Sequence, residues 1–322
     1  MLKGKRVFCN TSKAYEARQS LSDSIESRLS KGRTIHLGPW KDVYAELSEL
    51  YDDFICFGMS AVPKPHQPDV MRATSDHTKT GLNAATVVGM LKYSLNTYEE
   101  VAWLLRKDAF MYVSDVEDAF MLIPLAPVIW PFMIFRWFES RDPTEHPADH
   151  HAFAHIFGDF GTRGLPGTFK IFLVDVVVQM ARSEMVLTLP LRVYVDDAAL
   201  IGREGGGDEQ LVNDKMQRFQ MWSADVTGVY WKASKDRMAA IPQLYIGFWW
   251  DSRDFTRRLD ETKLLRYMDE LAAAADSSCL TLQARQSLAG KMQRAIMTLP
   301  PGAACLLVNC YALMSGLTLP WH

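Results

Sequence analysis

The stretch LRVYVDDAALIG, Leu191 to Gly202, constrains this chain more than any other. Leu191, Val193, Tyr194 and Val195 precede a pair of adjacent carboxylates, Asp196 and Asp197, and Ala198, Ala199, Leu200 and Ile201 follow it. Apolar, β-forming runs on both sides of a polar pair predict strand, tight turn, strand. Side-by-side carboxylates repel, and each raises the other's pKa unless positive charge neutralises them. An exposed turn is the plainer reading, since Asp is a common turn former. A seat for divalent cations is the sharper one.

A second carboxylate centre lies upstream in VSDVEDAFMLIPL, where Asp115 follows the strand residues Met111, Tyr112 and Val113. An Asp at a strand end, meeting the Asp196–Asp197 turn in space, can hold two Mg2+ ions. Two-metal sites use bridging carboxylates with the ions ~3.5–4 Å apart. Magnesium prefers hard oxygen ligands and accepts substrate phosphates in its shell.

At 322 residues, two or three packed lobes are expected rather than one core. A hydrophobic content of 48% with 23% charged residues is ordinary for a globular chain. Cys9, Cys56, Cys279, Cys305 and Cys310 form no CxxC and no Cys/His ligand spacing. That excludes a zinc ribbon and a disulfide framework and points to a reducing, intracellular compartment. The opening MLKGKR lacks the apolar run of a secretory signal. The most apolar run, Phe120 to Phe135, is too short for a bilayer and carries Pro124, Pro127 and Pro131. It reads as buried strand and turn, and no membrane partner is expected.

The net charge of −3 hides an uneven distribution. Residues 1–41 hold nine Lys/Arg against three Asp/Glu, and residues 277–322 hold Arg285, Lys291 and Arg294 with no acid. Basic ends around a neutral-to-acidic middle suit a protein that grips phosphates, although a solvated surface gives the same bias.

Periodicity predicts a helix from Lys13 to Leu29 and another from Trp40 to Phe57. Pro63, Pro65 and Pro68 then predict an extended loop. Thr97 with Glu100 forms a capping box for a short helix through Arg106. Residues Glu139 to Gly164 read as a polar, His-rich insertion. Its His151 and His155, at i and i+4, would share a helix face and can ligate a metal there, but a mobile surface segment is the plainer reading. Helical patterns follow over Phe169–Ala181 and Gln210–Ala224, LYIGFWW reads as a strand, and the chain is helical from Glu261 onward. Mixed, then β-rich, then all-α segments indicate an α+β chain of separate lobes.

VYVDDAALIG and DVEDAFMLIPL resemble motifs C and A of reverse transcriptases. The match continues in order. MRATSDHTKTGLN (Met71–Asn83) resembles the fingers segment, RGLPGTFK (Arg163–Lys170) motif B, and TGVYWKASKD (Thr227–Asp236) motif D. LYIGFWWDSRDFTRRLDETK (Leu244–Lys263) resembles the primer grip, and SLAGKMQRAIMTLPPG (Ser287–Gly302) the helical continuation of retroelement polymerases. The resemblance spans about Lys64 to Gly302 and is closest in flavour to LTR or DIRS-like retrotransposons.

The resemblance implies a right-hand polymerase with an antiparallel palm sheet and an all-α thumb: fingers 1–90 and 124–162, palm 91–123 and 163–258, thumb 259–322. It implies an RNA-directed DNA polymerase that extends a primer with dNTPs. Asp115, Asp196 and Asp197, with the Val116 carbonyl, would hold two Mg2+ ions, Mn2+ being a substitute. Lys235 would protonate departing pyrophosphate, with Lys232 as the alternative register. Lys64 and Arg72 would grip the triphosphate. Asp118 is expected to bond backbone or solvent rather than metal. Phe120 would pack under the sugar and exclude a 2′-hydroxyl, so Phe120→Ala is expected to admit ribonucleotides in an extension assay. Tyr194 and Trp249 would line the primer end, and Lys291 and Arg294 would face the duplex backbone. Motif B departs from its pattern: in Leu165-Pro166-Gly167-Thr168-Phe169 the glycine comes one place early. Gly167 and Thr168 remain candidates for the nascent base pair, but contact with the templating base is placed in doubt. The partners implied are an RNA or DNA template-primer, dNTPs, and ribonuclease H or integrase/recombinase modules of a parent element. The competing reading is a catalytically inactive polymerase fold serving as an RNA-binding scaffold.

Overall fold

The structure is a computed structural model that describes residues 3–64, 67–87, 97–139, 145–203, 209–277 and 279–299. The chain opens with β1 (Lys5–Val7), α1 (Ser12–Glu16), α2 (Arg18–Ser30), β2 (Thr34–Pro39), α3 (Trp40–Leu50), β3 (Phe54–Phe57), β4 (Met59–Lys64), β5 (Gln67–Ser75) and α4 (Leu82–Ala85). Next come α5 (Thr97–Leu104), β6 (Met111–Asp115), β7 (Ile134–Trp137), β8 (His151–His155) and α6 (Leu165–Lys170). Helix α6 continues through a π-helical stretch, Ile171–Val178, into α7 (Gln179–Ser183). Strands β9 (Leu191–Tyr194) and β10 (Asp197–Ile201) precede α8 (Glu209–Thr227). Strands β11 (Arg237–Ala240), β12 (Gln243–Tyr245), β13 (Phe248–Asp251) and β14 (Thr256–Leu259) lead to α9 (Glu261–Ala275) and α10 (Leu282–Ile296). Two compact units result: Met1–Ser94 with Glu117–Met180, and Leu95–Val116 with Ala181–His322.

The first unit is built on a sheet of order β1-β3-β7-β8-β2. Strands β1, β3 and β7 pair in parallel, while β7–β8 and β8–β2 are antiparallel. Alternation along Phe54-Ile55-Cys56-Phe57 sends side chains to both faces, and all four are buried. Ile55 and Phe57 join Leu21 and Ile25 of α2 in one core. Phe54 and Cys56 join Val43 and Leu47 of α3 in another. Burying both faces explains why FICF is apolar at every position.

The helix expected from Lys13 is two helices that divide at Ala17, the first capped by Thr11 Oγ1, which accepts from the Ala14 N–H at 3.2 Å. Helix α3 stops at Leu50, and Tyr51 turns extended at φ −133°. The apolar spacing that seemed to carry it to Phe57 belongs instead to a β-forming run. The expected Pro-rich loop contains a paired ribbon, β4–β5, in which Val62 faces Arg72 and Pro63 faces Met71. A two-stranded ribbon tolerates proline because each strand has an edge where no N–H is required. The Phe120–Phe135 run forms two 3-10 turns, Ala119–Leu122 and Pro127–Phe132, before β7, and it exposes Val128 and Ile129. The His-rich segment contains a strand, β8, lying inside the sheet between β7 and β2. His151 and His155 therefore lie on a strand, not a helix, and His155 is buried.

That burial is polar. Arg28 Nη1 lies 3.0 Å from His155 Nε2 and donates to Asp159 Oδ1 at 3.3 Å. Thr34 Oγ1 meets His155 Nδ1 at 2.8 Å, Ser75 Oγ donates to Asp159 Oδ2 at 2.5 Å, and His77 Nε2 lies 3.5 Å from the same oxygen.

The second unit carries an antiparallel sheet of order β11-β6-β10-β9 and a meander of order β12-β13-β14. Met111, Val113, Ala199 and Ile201 from the sheet meet Tyr245, Phe248 and Trp250 from the meander in one core, with Tyr98 and Val101 of α5 and Tyr267 of α9. Helix α8 buries Val212, Met216 and Phe219, and its Asn213 Oδ1 accepts the Ala239 N–H of β11 at 2.8 Å.

Candidate active site

Strand pairing alone assembles the carboxylates. In the β6–β10 ladder, Asp197 is the direct partner of Asp115. In the β9–β10 hairpin, Asp197 is the partner of Tyr194, which leaves Val195 and Asp196 as a two-residue turn. Directly opposed antiparallel residues hold their Cβ atoms about 4.5–5.5 Å apart. Two acids more than eighty positions apart in sequence therefore share one end of one sheet, with Asp196 at the turn beside them. The Val116 N–H donates to the Asp196 carbonyl at 3.0 Å, which ties the segment after β6 to the hairpin tip.

The tip is strained. Val195 sits at φ +59°, a region disfavoured for a β-branched side chain. Positive φ at the first turn position suits a tight hairpin turn, but glycine is the residue that normally supplies it. Strain of this kind persists where surrounding structure over-determines the backbone, and it clusters at functional sites. One support lies beneath the hairpin: Tyr245 Oη donates to the carbonyls of Asp197 (3.1 Å) and Arg192 (3.2 Å).

Electrostatics mark the same place. Asp115 is 7% exposed. Burial, then the charges of Asp196 and Asp115, push the Asp197 carboxyl up to about 7, against the smaller opposing pull of Lys235 and Arg237. Lys235 Nζ donates to Asp115 Oδ2 at 2.6 Å. The segment that brings it there is fixed by backbone: the Lys232 N–H donates to the Asp115 carbonyl at 2.9 Å, and Trp231 bridges to Val116. Lys232 thus meets Asp115 through its backbone and Lys235 through its ammonium. Below them, Ser114 Oγ donates to Asp236, and Gln220 Nε2 donates to both Ser114 Oγ (3.0 Å) and Asp236 Oδ1 (3.1 Å).

The other candidates are distributed over both units. Tyr194 ends β9 with its ring 5.9 Å from that of Tyr98. Trp249 is half-buried on β13, paired with Leu244 and Arg258. Lys291 is in an ion pair with Glu270 of α9 and lies 3.0 Å from Ser287 Oγ. Arg294 donates to the Ile246 carbonyl and lies over the rings of Phe248 (5.3 Å) and Tyr98 (5.7 Å). Both cations are thus engaged with protein groups of the second unit. In the first unit, Phe120 is 7% exposed and packs edge-on against Phe160 and Phe169. Gly167 is buried in α6, and Thr168 Oγ1 donates to the Gly164 carbonyl at 3.2 Å.

Lys64 and Arg72 line one cleft of about 350 Å³ in the first unit. Arg28, Lys31 and Arg33 line it too; they belong to the basic N-terminal segment whose charge suits phosphates, but none was assigned to the site from sequence. Asp118, expected to bond backbone or solvent, is in ion pairs with both Lys31 (2.6 Å) and Arg33. Burial works to raise the Asp118 carboxyl, but Lys31 and Arg33 together hold it below its ordinary range. The signal that was available is the basic N-terminal segment. Tyr245 was hidden inside an apolar strand and had no such signal.

No family model matches this sequence, and no curated protein matches it significantly. Solved structures do. A foamy viral protease-reverse transcriptase dRH in complex with double-stranded DNA superposes with a TM-score of 0.68 at 16% identity, covering 100% of this chain and 48% of that one. A foamy viral protease-reverse transcriptase in complex with double-stranded DNA gives 0.66 at 17% identity, with 100% and 56% covered. One in complex with an RNA/DNA hybrid gives 0.66 at 16% identity, with 100% and 37% covered. The chain spans about half or less of the length of most of these chains. At such identity the likeness speaks for the fold, and the fold of this chain is reverse-transcriptase-like.

Proposed function

We propose that this chain is an RNA-directed DNA polymerase, of an LTR/DIRS-like retroelement, that extends a primer with dNTPs on a nucleic-acid template. One observation carries the reading: Asp197 and Asp115 are register partners at the end of one sheet, beside Asp196 in a strained hairpin. The fold supports it, since the similar structures are reverse transcriptases in complex with double-stranded DNA or an RNA/DNA hybrid. In this reading the palm is 91–123 and 163–258, the fingers are 1–90 and 124–162, and the thumb is 259–322.

The donor set fits magnesium. Asp115, Asp196, Asp197 and the Val116 carbonyl offer only hard oxygens, and the cations present, Lys235 and Arg237, do not offset the burial and like charge that raise Asp197. Bound there, two Mg2+ ions would activate the attacking primer oxygen and stabilise the charge on the leaving one. The chain's own residues do the rest. The hairpin turn and the Val116–Asp196 hydrogen bond hold the carboxylates before substrate arrives, so no reorganisation is needed at reaction. Lys235, now on Asp115, is placed to surrender that contact and donate a proton to departing pyrophosphate. Its neighbour Asp236 is anchored by Ser114 and Gln220, which fixes the segment that carries it. Lys64 and Arg72, in a cleft shared with Lys31 and Arg33, suit a triphosphate. Phe120 carries no group able to hydrogen-bond a 2′-hydroxyl, so the product is DNA.

The test is primer extension on poly(rA)/oligo(dT) with dTTP and Mg2+, with Asp196→Asn as the control. Extension by the wild type and a loss of about a thousandfold or more in the variant, about 4 kcal/mol of transition-state stabilisation, are expected. Hybrid binding without extension by the wild type overturns the proposal in favour of the inactive scaffold.

A further inference from the structure

We propose that the first unit holds a zinc-class transition-metal site made by His36, Glu139 and His151, separate from the carboxylate centre and independent of the polymerase reading. The three residues come from three neighbouring strands or their ends. His36 lies on β2, His151 opens β8, and Glu139 follows β7 by two residues. Sheet order places β8 between the other two. Trp137 is the register partner of His151, so the chain leaving β7 passes beside the start of β8. The β2–β8 register shifts between His36 and Gly38, the signature of a bulge that re-aims side chains. As a result the His36 ring stacks on both His151 (5.0 Å) and Phe153 (4.9 Å) on one face of the sheet.

The donor atoms converge. His36 Nε2 lies 2.8 Å from His151 Nδ1, and His151 Nε2 lies 3.3 Å from Glu139 Oε2. Taking one ligand atom from each residue, the three lie within 4.8 Å of one another. Among the described residues this is the one group of three or more His, Cys, Asp or Glu side chains that meets such a spacing. Zinc takes His nitrogen at about 2.0–2.1 Å and carboxylate oxygen at about 2.0–2.2 Å, which sets tetrahedral donors roughly 3.3 Å apart. Side-chain rotations that open the 2.8 Å His–His contact and bring Glu139 to the same His151 nitrogen give that spacing, and His36 and Glu139 are exposed enough to make them. Two nitrogens and one oxygen form a borderline-soft set that favours zinc over magnesium. Three protein ligands leave a fourth position for water. An ion there would staple three strands at one end of the sheet.

The experiment titrates Zn2+ calorimetrically into intact, chelator-stripped protein and follows thermal unfolding with and without the ion. Four proteins are compared: wild type, Asp196→Asn, His36→Gln and His151→Ala. Asp196→Asn removes a ligand of the carboxylate centre only, so zinc bound there is told apart. One equivalent that persists in Asp196→Asn and weakens at least about tenfold in His36→Gln and His151→Ala is expected. The zinc-induced rise in melting temperature should disappear with it. His36 is exposed, so His36→Gln decides the matter even where His151→Ala does not fold. Equal zinc binding by wild type and His36→Gln overturns the site, as does zinc binding that Asp196→Asn abolishes.

Discussion

A cluster around the buried Asp159 in the first unit and one around Asp115 and Asp197 in the second are neutralised in opposite ways. Asp159, 1% exposed, is surrounded by Arg28, His155, His77 and the Ser75 hydroxyl. Burial works to raise its pKa, yet His155, His77 and Arg28 hold it well below the ordinary carboxylate range. Asp197 faces two further carboxylates and is pushed up to about 7, with Lys235 and Arg237 pulling only weakly the other way. The protein supplies its own counter-charge where a carboxylate is structural. Around Asp197 three carboxylates meet Lys235 and Arg237, and burial with like charge outweighs those two cations. On the proposed reading, the difference separates a structural buried acid from one that awaits a cation.

The largest effect expected from this contrast is on stability in the first unit. Asp159→Ala leaves Arg28 buried without its carboxylate, and removing one partner of a buried pair costs about 3–5 kcal/mol. Urea or thermal unfolding of the variant measures it. A loss below about 1 kcal/mol would mean that Arg28 finds solvent and that the two clusters do not differ as described.

Next comes Lys235→Leu. On the proposed reading it removes the group that protonates pyrophosphate, and such donors contribute about 10²–10⁴-fold. The maximal extension rate should fall about a hundredfold with little change in dNTP affinity, while Mg2+ is bound more tightly because the ammonium no longer sits on Asp115. The same rate loss from Lys232→Leu, with Lys235→Leu near wild type, would assign the proton to the other lysine.

The two clusters also differ in how far they could be read from sequence. Asp196 and Asp197 were legible as a hairpin turn because strand-forming runs flank them, but it was the resemblance to motifs A and C that brought Asp115 to them. Asp118 was misjudged because its partner Lys31 lies 87 positions away, at the C-cap of α2, in a basic segment that reads equally as a solvated surface. His155 was misplaced for a related reason. Polar composition around Glu139–Gly164 suggested a surface insertion, but His155 is internal because Arg28, from 127 positions earlier, and Thr34 satisfy both ring nitrogens. Local periodicity likewise could not separate the end of α3 from the start of β3. Long-range ion pairs leave no local trace, whereas strand alternation does.

A smaller effect concerns pH, and the clusters should respond in opposite senses. Burial drives the His155 imidazole down to about 3, so its neutral form is the folded one. An unfolded His takes up a proton below about pH 6.5, so this term lowers stability as pH falls from there toward 3. Asp197 works the other way. Its folded pKa lies above the ordinary 3.8, so between about pH 4 and 7 the folded state holds the extra proton, and stability falls as pH rises. In chelator-treated protein, Asp197→Asn should remove that fall and stabilise the chain at pH 8 by about 2 kcal/mol, screening included. An unchanged difference between pH 5 and pH 8 in the variant would show that Asp197 does not carry the uncompensated charge.

The smallest effect tests whether the strain belongs to the same design. Val195 holds φ +59° at the tip that presents Asp196, a conformation that costs a non-glycine residue about 1–3 kcal/mol. Val195→Gly relieves it but adds about 0.5–1 kcal/mol of backbone entropy to the unfolded chain, so a net gain of about 1 kcal/mol is expected. Extension should slow several-fold at the same time, because a glycine tip no longer holds Asp196 against Asp115 and Asp197 so firmly. Greater stability with slower extension would tie the strained turn to the uncompensated cluster, as two parts of one preorganised site. Lower stability with unchanged extension would show that the turn is held by packing alone and stores nothing for catalysis.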